Sequence, residues 1–357
     1  MSSPNIVRDI RTLTQTKLLL AVSKKWLSQF RFGINAYGLR PFQSAGSNAR
    51  SVVTNVNTAS TKSDRLLANI RLAEQLASVF DTLNCVKRSS YVNIDHSDMH
   101  SLTALVGAVQ TRKGRAVPCM VETTYALQIP AHSDKPRIQH LRQAMKHIRR
   151  TQSFTGHTID SLQKMADRLG FWPKLVFDRG FGNESIVSHL AAEGCTFYIR
   201  MKAGRFVELN DRKIEIKQLG TKDVVIKLFG LNLRVICSPK SRRSPEPWYI
   251  LTNDMTSSRT KIVKIYYHRF EIEETFKDIK HIFEYKRTRL TKPNSLKILL
   301  WFVSIDIALL YIVTKPTRRG IRASNTKKQT SWLRQAYEQL QQAYGLLLWG
   351  DGNDCWK

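Results

Sequence analysis

Cysteine is scarce and patternless in this chain: Cys85, Cys119, Cys195, Cys237 and Cys355 are odd in number and never spaced C-x-x-C. That excludes a disulfide framework and a cysteine zinc site, and it fits a reducing cytoplasm. The nine histidines contain no H-E-x-x-H and no other paired-ligand spacing, so none is assigned to a metal. Gly180-Phe181-Gly182 is not followed by G-K-[ST] and does not extend to G-x-G-x-x-G, which excludes the common nucleotide loops. A secretory signal is also missing: Leu18-Leu19-Leu20-Ala21-Val22 is short and runs into Lys24-Lys25. The longest apolar run, residues 298–313, falls short of the roughly 20 residues a bilayer needs. It also carries Asp306 at its centre, a cost of about 3 kcal/mol in a membrane. A buried core helix is expected there, with a buried partner for Asp306 and no membrane contact.

Acidic residues are scarce too. Lys and Arg number 57 against 28 acids, a formal charge of +29 over 357 residues. Such an excess is far beyond what solubility requires and points to a polyanion, with nucleic acid favoured over an anionic membrane. At 42% apolar content the chain can bury a sizeable core and form two or three domains.

Periodicity divides the chain. Residues 1–87 read as helical pieces, Leu13 to Phe30 and Ser63 to Leu83, joined by a Gly, Ser, Asn and Thr-rich stretch, a basic module that either binds DNA ends or packs on the rest. Residues 88–204 read as an α/β layout. Strands at Tyr91 to Ile94, Leu102 to Thr111 and Ala116 to Leu127 come first, the last two a hairpin turning at Lys113-Gly114. An amphipathic helix through Ile159, Leu162 and Met165 follows, then a strand Leu175 to Phe177, a helix Glu184 to Glu193 and a strand Thr196 to Met201. Residues 205–258 are almost pure β and read as an insertion. Residues 259–315 return to helix, one from Lys261 to about Lys286 and then the apolar helix, and 316–357 form a basic tail.

The chemistry lies in three carboxylates. Asp95 is expected to end the first strand and Asp178 the strand Leu175 to Phe177, and ligands gather at the carboxyl ends of strands in an open α/β sheet. Glu273 lies on the expected helix, where Tyr266, Arg269, Glu273 and Lys280 fall within an arc of about 60°. Ile265, Ile272, Phe276, Ile279 and Phe283 form an apolar stripe about 80° away. The helix can therefore pack on the sheet while one edge presents a carboxylate, a phenol, a guanidinium and an ammonium. Oxygen-only ligands suit Mg²⁺ or Mn²⁺, and two such ions about 4 Å apart serve phosphodiester transfer. Glu271, Glu274 and Asp278 are expected to be solvated, and Glu284, on the Glu273 face, rivals it as third carboxylate. Asp98 is either a solvated neighbour of Asp95 or a replacement ligand. Trp248 either stacks on an unpaired base or packs in the core. The basic run Lys135, Arg137, Arg142, Lys146, Arg149 and Arg150 is either a DNA track or a solvated helix face.

Tyr266-x-x-Arg269-x-x-x-Glu273-x-x-x-x-x-x-Lys280 resembles the Tyr-Arg-Glu-Lys signature of the DDE transposases of the fourth insertion-sequence family. Tyr91-Val92-Asn93-Ile94-Asp95, Leu175-Val176-Phe177-Asp178-Arg179-Gly180-Phe181 and Leu251-Thr252-Asn253 agree with it, over roughly residues 88 to 315. The resemblance implies an RNase H-like mixed sheet flanked by helices, carrying a β-rich insertion. It implies Asp95, Asp178 and Glu273 as ligands of two Mg²⁺ or Mn²⁺ ions, with Tyr266, Arg269 and Lys280 on DNA phosphates. It further implies cleavage at the terminal inverted repeats, a hairpin intermediate and strand transfer into target DNA by a homodimer at the bacterial nucleoid. The alternatives are a host nuclease on the same core and a DNA-binding remnant without activity.

Overall fold

The computed structural model describes residues 62–99, 102–125, 154–220, 223–240, 246–281, 292–314 and 333. The first part of the N-terminal segment, the basic run from Lys135 to Arg150, Glu284 and nearly all of the tail lie outside them.

Helix α1 (Lys62–Thr82) precedes strands β1 (Tyr91–Met99), β2 (Leu102–Gln110) and β3 (Ala116–Tyr125). Helix α2 (Phe154–Leu169), β4 (Lys174–Phe177), α3 (Glu184–Ala192) and β5 (Phe197–Met201) follow. Strands β6 (Phe206–Leu209), β7 (Arg212–Glu215), β8 (Asp223–Leu228), β9 (Leu231–Ser238) and β10 (Trp248–Thr252) come next, then α4 (Arg259–Tyr267), α5 (Phe270–His281) and α6 (Pro293–Thr314). All ten strands join one sheet in the order β3-β2-β1-β4-β5-β10-β9-β8-β6-β7. Strands β1, β4 and β5 are mutually parallel and the remaining neighbours antiparallel. This is the mixed α/β sheet flanked by helices that was expected.

Side chains alternate across a strand, and the alternation here sorts function from packing. Val92 and Ile94 of β1, with Leu175 and Phe177 of β4, enter the larger apolar core together with Leu162 of α2 and Ile186 of α3. Tyr91 and Val176 face the other way, into a second cluster with Trp248, Ile262, Ile265 and Tyr266. Asn93, Asp95 and Asp178 continue those two rows. The polar residues of β1 and β4 therefore face the layer of α4.

Strands β6 to β9 extend the same sheet through β10, which pairs with β5 and β9. All four lie within the stretch 205–258 read as β, and β6 is the one with the clearest turn. That turn is Leu209-Asn210-Asp211-Arg212, where Asn210 and Asp211 take φ of 50° and 61°, the left-handed pair of a tight hairpin. Asn253 ties β10 to β5: its Oδ1 accepts from the Phe197 amide (3.1 Å) and its Nδ2 donates to the Cys195 carbonyl (2.8 Å).

Helix α1 packs on α6 and β3, and its Leu76 and Phe80 are fully buried in the main core. Helix α6 begins at Pro293, ahead of the apolar run. By length and composition its segment Pro293–Ile312 could cross a membrane, but 71% of that window is buried against the protein. Asp306 on it is only partly exposed, and burial among apolar neighbours pushes its carboxyl well above the usual range.

The helix expected from Lys261 to Lys286 is two helices. Residues 268, 269, 271 and 272 are bonded i to i−3, with Arg269 N–H to Tyr266 O at 2.9 Å and Glu271 N–H to His268 O at 3.1 Å. Such bonding winds the chain more tightly than an α-helix. Asn93 Nδ2 donates to the His268 carbonyl (3.1 Å) and Gln110 Nε2 to that of Ile265 (3.0 Å), so strands β1 and β2 hold the break.

Candidate active site

Asp95 does not end its strand, as was expected, because β1 pairs with β2 as far as Met99. What ends is the parallel ladder of β1 with β4, at Ile94 opposite Phe177. Asp95 and Asp178 are thus the next residues on two adjacent parallel strands, and the register alone makes them neighbours. Asp178 opens a 3₁₀ turn, Arg179–Phe181, as its N-cap, yet its side chain makes no capping hydrogen bond. Its carboxylate stays available to the site. The ring of Phe181, at the end of that turn, stacks on His96 with centroids 5.0 Å apart and planes 10° apart, and Phe154 covers His96 as well (4.4 Å). This stack joins the two aspartate segments, and burial lowers the His96 pKa to about 4, leaving the ring neutral. Gly182 lets the turn sit close to β5: a Cβ there would lie 2.8 Å from Met201 Sδ.

Glu273 approaches from α5. Arg269, with only 5% of its side chain exposed, bridges it to Asp95, Nη1 lying 3.3 Å from Asp95 Oδ2 and Nη2 bonded to Glu273 Oε1. Burial works against the charge of Arg269, yet Tyr266, Asp178, Glu273 and Asp95 around it hold its proton on more firmly than usual. Asp95 shows the cost of gathering acids in a buried place. Burial raises its pKa to about 6, against the opposing pull of Arg269 and the His96 amide (2.8 Å to Oδ1), and the charges of Asp178 and Glu273 raise it further. Tyr266 is 1% exposed, and its hydroxyl is held neutral by burial, with Arg269 and Asp178 as its strongest charged neighbours.

Asp95 and Glu273 line an open cleft together with Asp98, Phe276, Lys277 and Lys280. Lys280 thus stands at its edge, three turns of chain from Arg269. Asp98 is exposed and accepts from Thr103 Oγ1 (2.7 Å), so it is tied to the neighbouring strand. Trp248 is 6% exposed and packed on Tyr266 (5.1 Å) and Phe270 (5.9 Å), so it belongs to the core.

Two expectations about α5 are corrected. Glu271 and Asp278 are buried, at 5% and 8% exposure, not solvated. Glu271 accepts from the amides of the β2–β3 turn, and Asp278 pairs with Arg115 at 2.5 Å. The signal for this was a second stripe on the helix, Glu271, Thr275 and Asp278, at helical spacing beside the apolar one. Asn93 was missed for a similar reason: it shares the Asp95 face of β1 but carries no charge.

The donor set fits a hard divalent cation in its chemistry: three carboxylates supply only oxygen, and a buried guanidinium already stands between two of them as a cation. Among the described residues, no three His, Cys, Asp or Glu side chains close on a single point as a metal group. Asp95 and Glu273 face one another across Arg269 instead.

No curated protein matches the sequence. Residues 146–309 match the family model described as a transposase DDE domain. That segment contains Asp178 and Glu273 but not Asp95, which only the register of β1 with β4 brings beside them. The mixed sheet with its flanking helices is consistent with the RNase H-like core of such a domain, and the match supports a DDE transposase, a polynucleotidyl transferase kind of enzyme whose substrate is DNA.

Proposed function

We propose that the chain is the transposase of an insertion sequence, cutting DNA at the element's terminal inverted repeats and joining the freed ends to target DNA as a homodimer. The observation that carries this reading is that Asp95 and Glu273 share one buried guanidinium, with Asp178 beside Asp95 in the β1–β4 register, next to a cleft edged by lysines. In this reading the three carboxylates hold Mg²⁺ or Mn²⁺, in a pair of sites. Metal bound there would polarise the scissile phosphate and lower the pKa of the attacking hydroxyl.

The chain's own residues do the rest. Arg269 is a planar fork suited to bidentate contact with a phosphate once the carboxylates have another cation. Lys280 at the cleft edge adds a point charge to the DNA backbone, and Tyr266 backs Arg269 from beneath. Residues 88–204 and 259–315 form the catalytic core, 205–258 the β insertion, 1–87 an end-binding module and 316–357 a basic tail. Function at the nucleoid in the cytoplasm follows from the substrate.

The test is cleavage and joining of DNA carrying the element's own ends in the presence of Mg²⁺. Asp95→Asn, Asp178→Asn and Glu273→Gln should each abolish both steps while DNA binding persists. Unchanged cleavage by the Glu273→Gln chain would sink the assignment. Cleavage without joining would favour a host nuclease.

A further inference from the structure

We propose that Glu271 is a positioning residue for Glu273, holding α5 at the rotation that turns Glu273 towards Asp95. This rests on the carboxylate reading above and names a residue outside it. Glu271 is 5% exposed, and both of its oxygens are engaged. Oε2 accepts from the amides of Thr111 (2.9 Å) and Arg112 (3.1 Å), and Oε1 accepts from that of Gly114 (3.2 Å) and meets His268 Nδ1 at 3.1 Å. Three turn amides on one carboxylate form an anion nest, and the turn is shaped for it, with Arg112 at φ 60° and Gly114 at φ 88°.

One and two turns further on, the same stripe continues. Thr275 Oγ1 accepts from the Ala116 amide (2.9 Å), and Asp278 pairs with Arg115. The whole β2–β3 connection is therefore fastened to one side of α5. Two residues along an α-helix are separated by about 200°, so fixing Glu271 into the turn points Glu273 away from it, to Asp95 and the cleft. The tight turn at residues 268 to 272 lies immediately upstream. Without the Glu271 anchor, α5 keeps the Thr275 and Asp278 ties further along the helix but loses the three amides that fix its first turn, the turn that carries Glu273.

Glu271 touches neither Asp95 nor Glu273, so its removal tests position rather than chemistry. Mn²⁺ alone is the probe, titrated into the full chain and followed by electron paramagnetic resonance, with the thermal midpoint of each variant measured without metal. Glu271→Ala should weaken Mn²⁺ binding roughly 10-fold or more, the usual effect of losing an outer support of a metal ligand. Glu271→Gln, whose amide oxygen can still accept from Thr111 and Arg112, should weaken it by less. Asn253→Ala, which destabilises a distant junction, should bind Mn²⁺ within about twofold of wild type despite its lower midpoint. Wild-type affinity in Glu271→Ala, or in Glu271→Gln if the alanine variant does not fold, would overturn the proposal, as would equal weakening in Asn253→Ala. Failure of the wild-type chain to bind Mn²⁺ would instead overturn the carboxylate site itself.

Discussion

Asp95 is the residue at which the electrostatic cost of the site is concentrated. Its folded pKa of about 6 lies above the ordinary 3.8, because burial and the two other acids disfavour its charge more than Arg269 favours it. The folded state therefore holds a proton that the unfolded chain has already released over this range. By linkage, stability without metal is greatest below pH 4 as far as Asp95 is concerned, falls as pH rises from about 4 to about 6, and stays lowered above that. A shift of about two units corresponds to about 3 kcal/mol. Urea unfolding in a chelating buffer across this range should show the decline, and Asp95→Asn should flatten it. An identical pH slope in that variant would mean that Asp95 titrates as an ordinary surface carboxyl. The same property favours the proposed use of the site, since a cation that replaces Arg269 between the acids removes the repulsion and gains affinity from it.

At the scale of elements, what could be read from the sequence was what periodicity carries. Strands β1 to β5 were legible as short apolar runs, most of them buried on both faces, helices α2 and α3 by their 3.6 period, and turn residues such as Lys113-Gly114 marked their limits. The break between α4 and α5 was not legible. Ile262, Ile265, Ile272, Phe276 and Ile279 keep helical phase across it, and the cause is tertiary: Asn93 and Gln110 catch carbonyls that only the folded sheet brings to them. The buried acids of α5 were misread for the same reason, since a glutamate at a solvated spacing looks identical until a turn supplies three amides. The resemblance singled out Asp95, Asp178 and Glu273, but the nearness of Asp178 to Asp95 depends on the parallel register of β1 and β4, and the bridge from Asp95 to Glu273 runs through Arg269, and no spacing records either. One junction tests how much such polar ties contribute. Asn253 satisfies the Phe197 amide and the Cys195 carbonyl where β10 leaves β5 for α4. Asn253→Ala leaves both groups without that partner and should cost about 1–3 kcal/mol in denaturant unfolding. A change below about 0.5 kcal/mol would show that water replaces the side chain at this edge.

For the whole molecule, the decisive quantity is the charge of +29, because it must act on DNA through particular places rather than as a uniform cloud. The fold offers one such place in the described residues: the cleft beside the carboxylates, with Lys277 and Lys280 on its wall. Both lie on the side of α5 that carries Glu273, four and seven residues beyond it, and Lys277 also pairs with Glu274 on its own helix. Each phosphate neutralised by a lysine releases counterions, and the slope of log affinity against log salt becomes steeper by about 0.9 per contact on duplex DNA. Lys280→Ala and Lys277→Ala should therefore each lower affinity for DNA of any sequence and make that slope shallower, by up to about 0.9 apiece. Fluorescence anisotropy on one duplex at several salt concentrations measures both slopes. Loss of affinity in Lys280→Ala with the slope unchanged would mean that Lys280 supports α5 rather than a phosphate. The DNA path would then have to be sought away from the carboxylates.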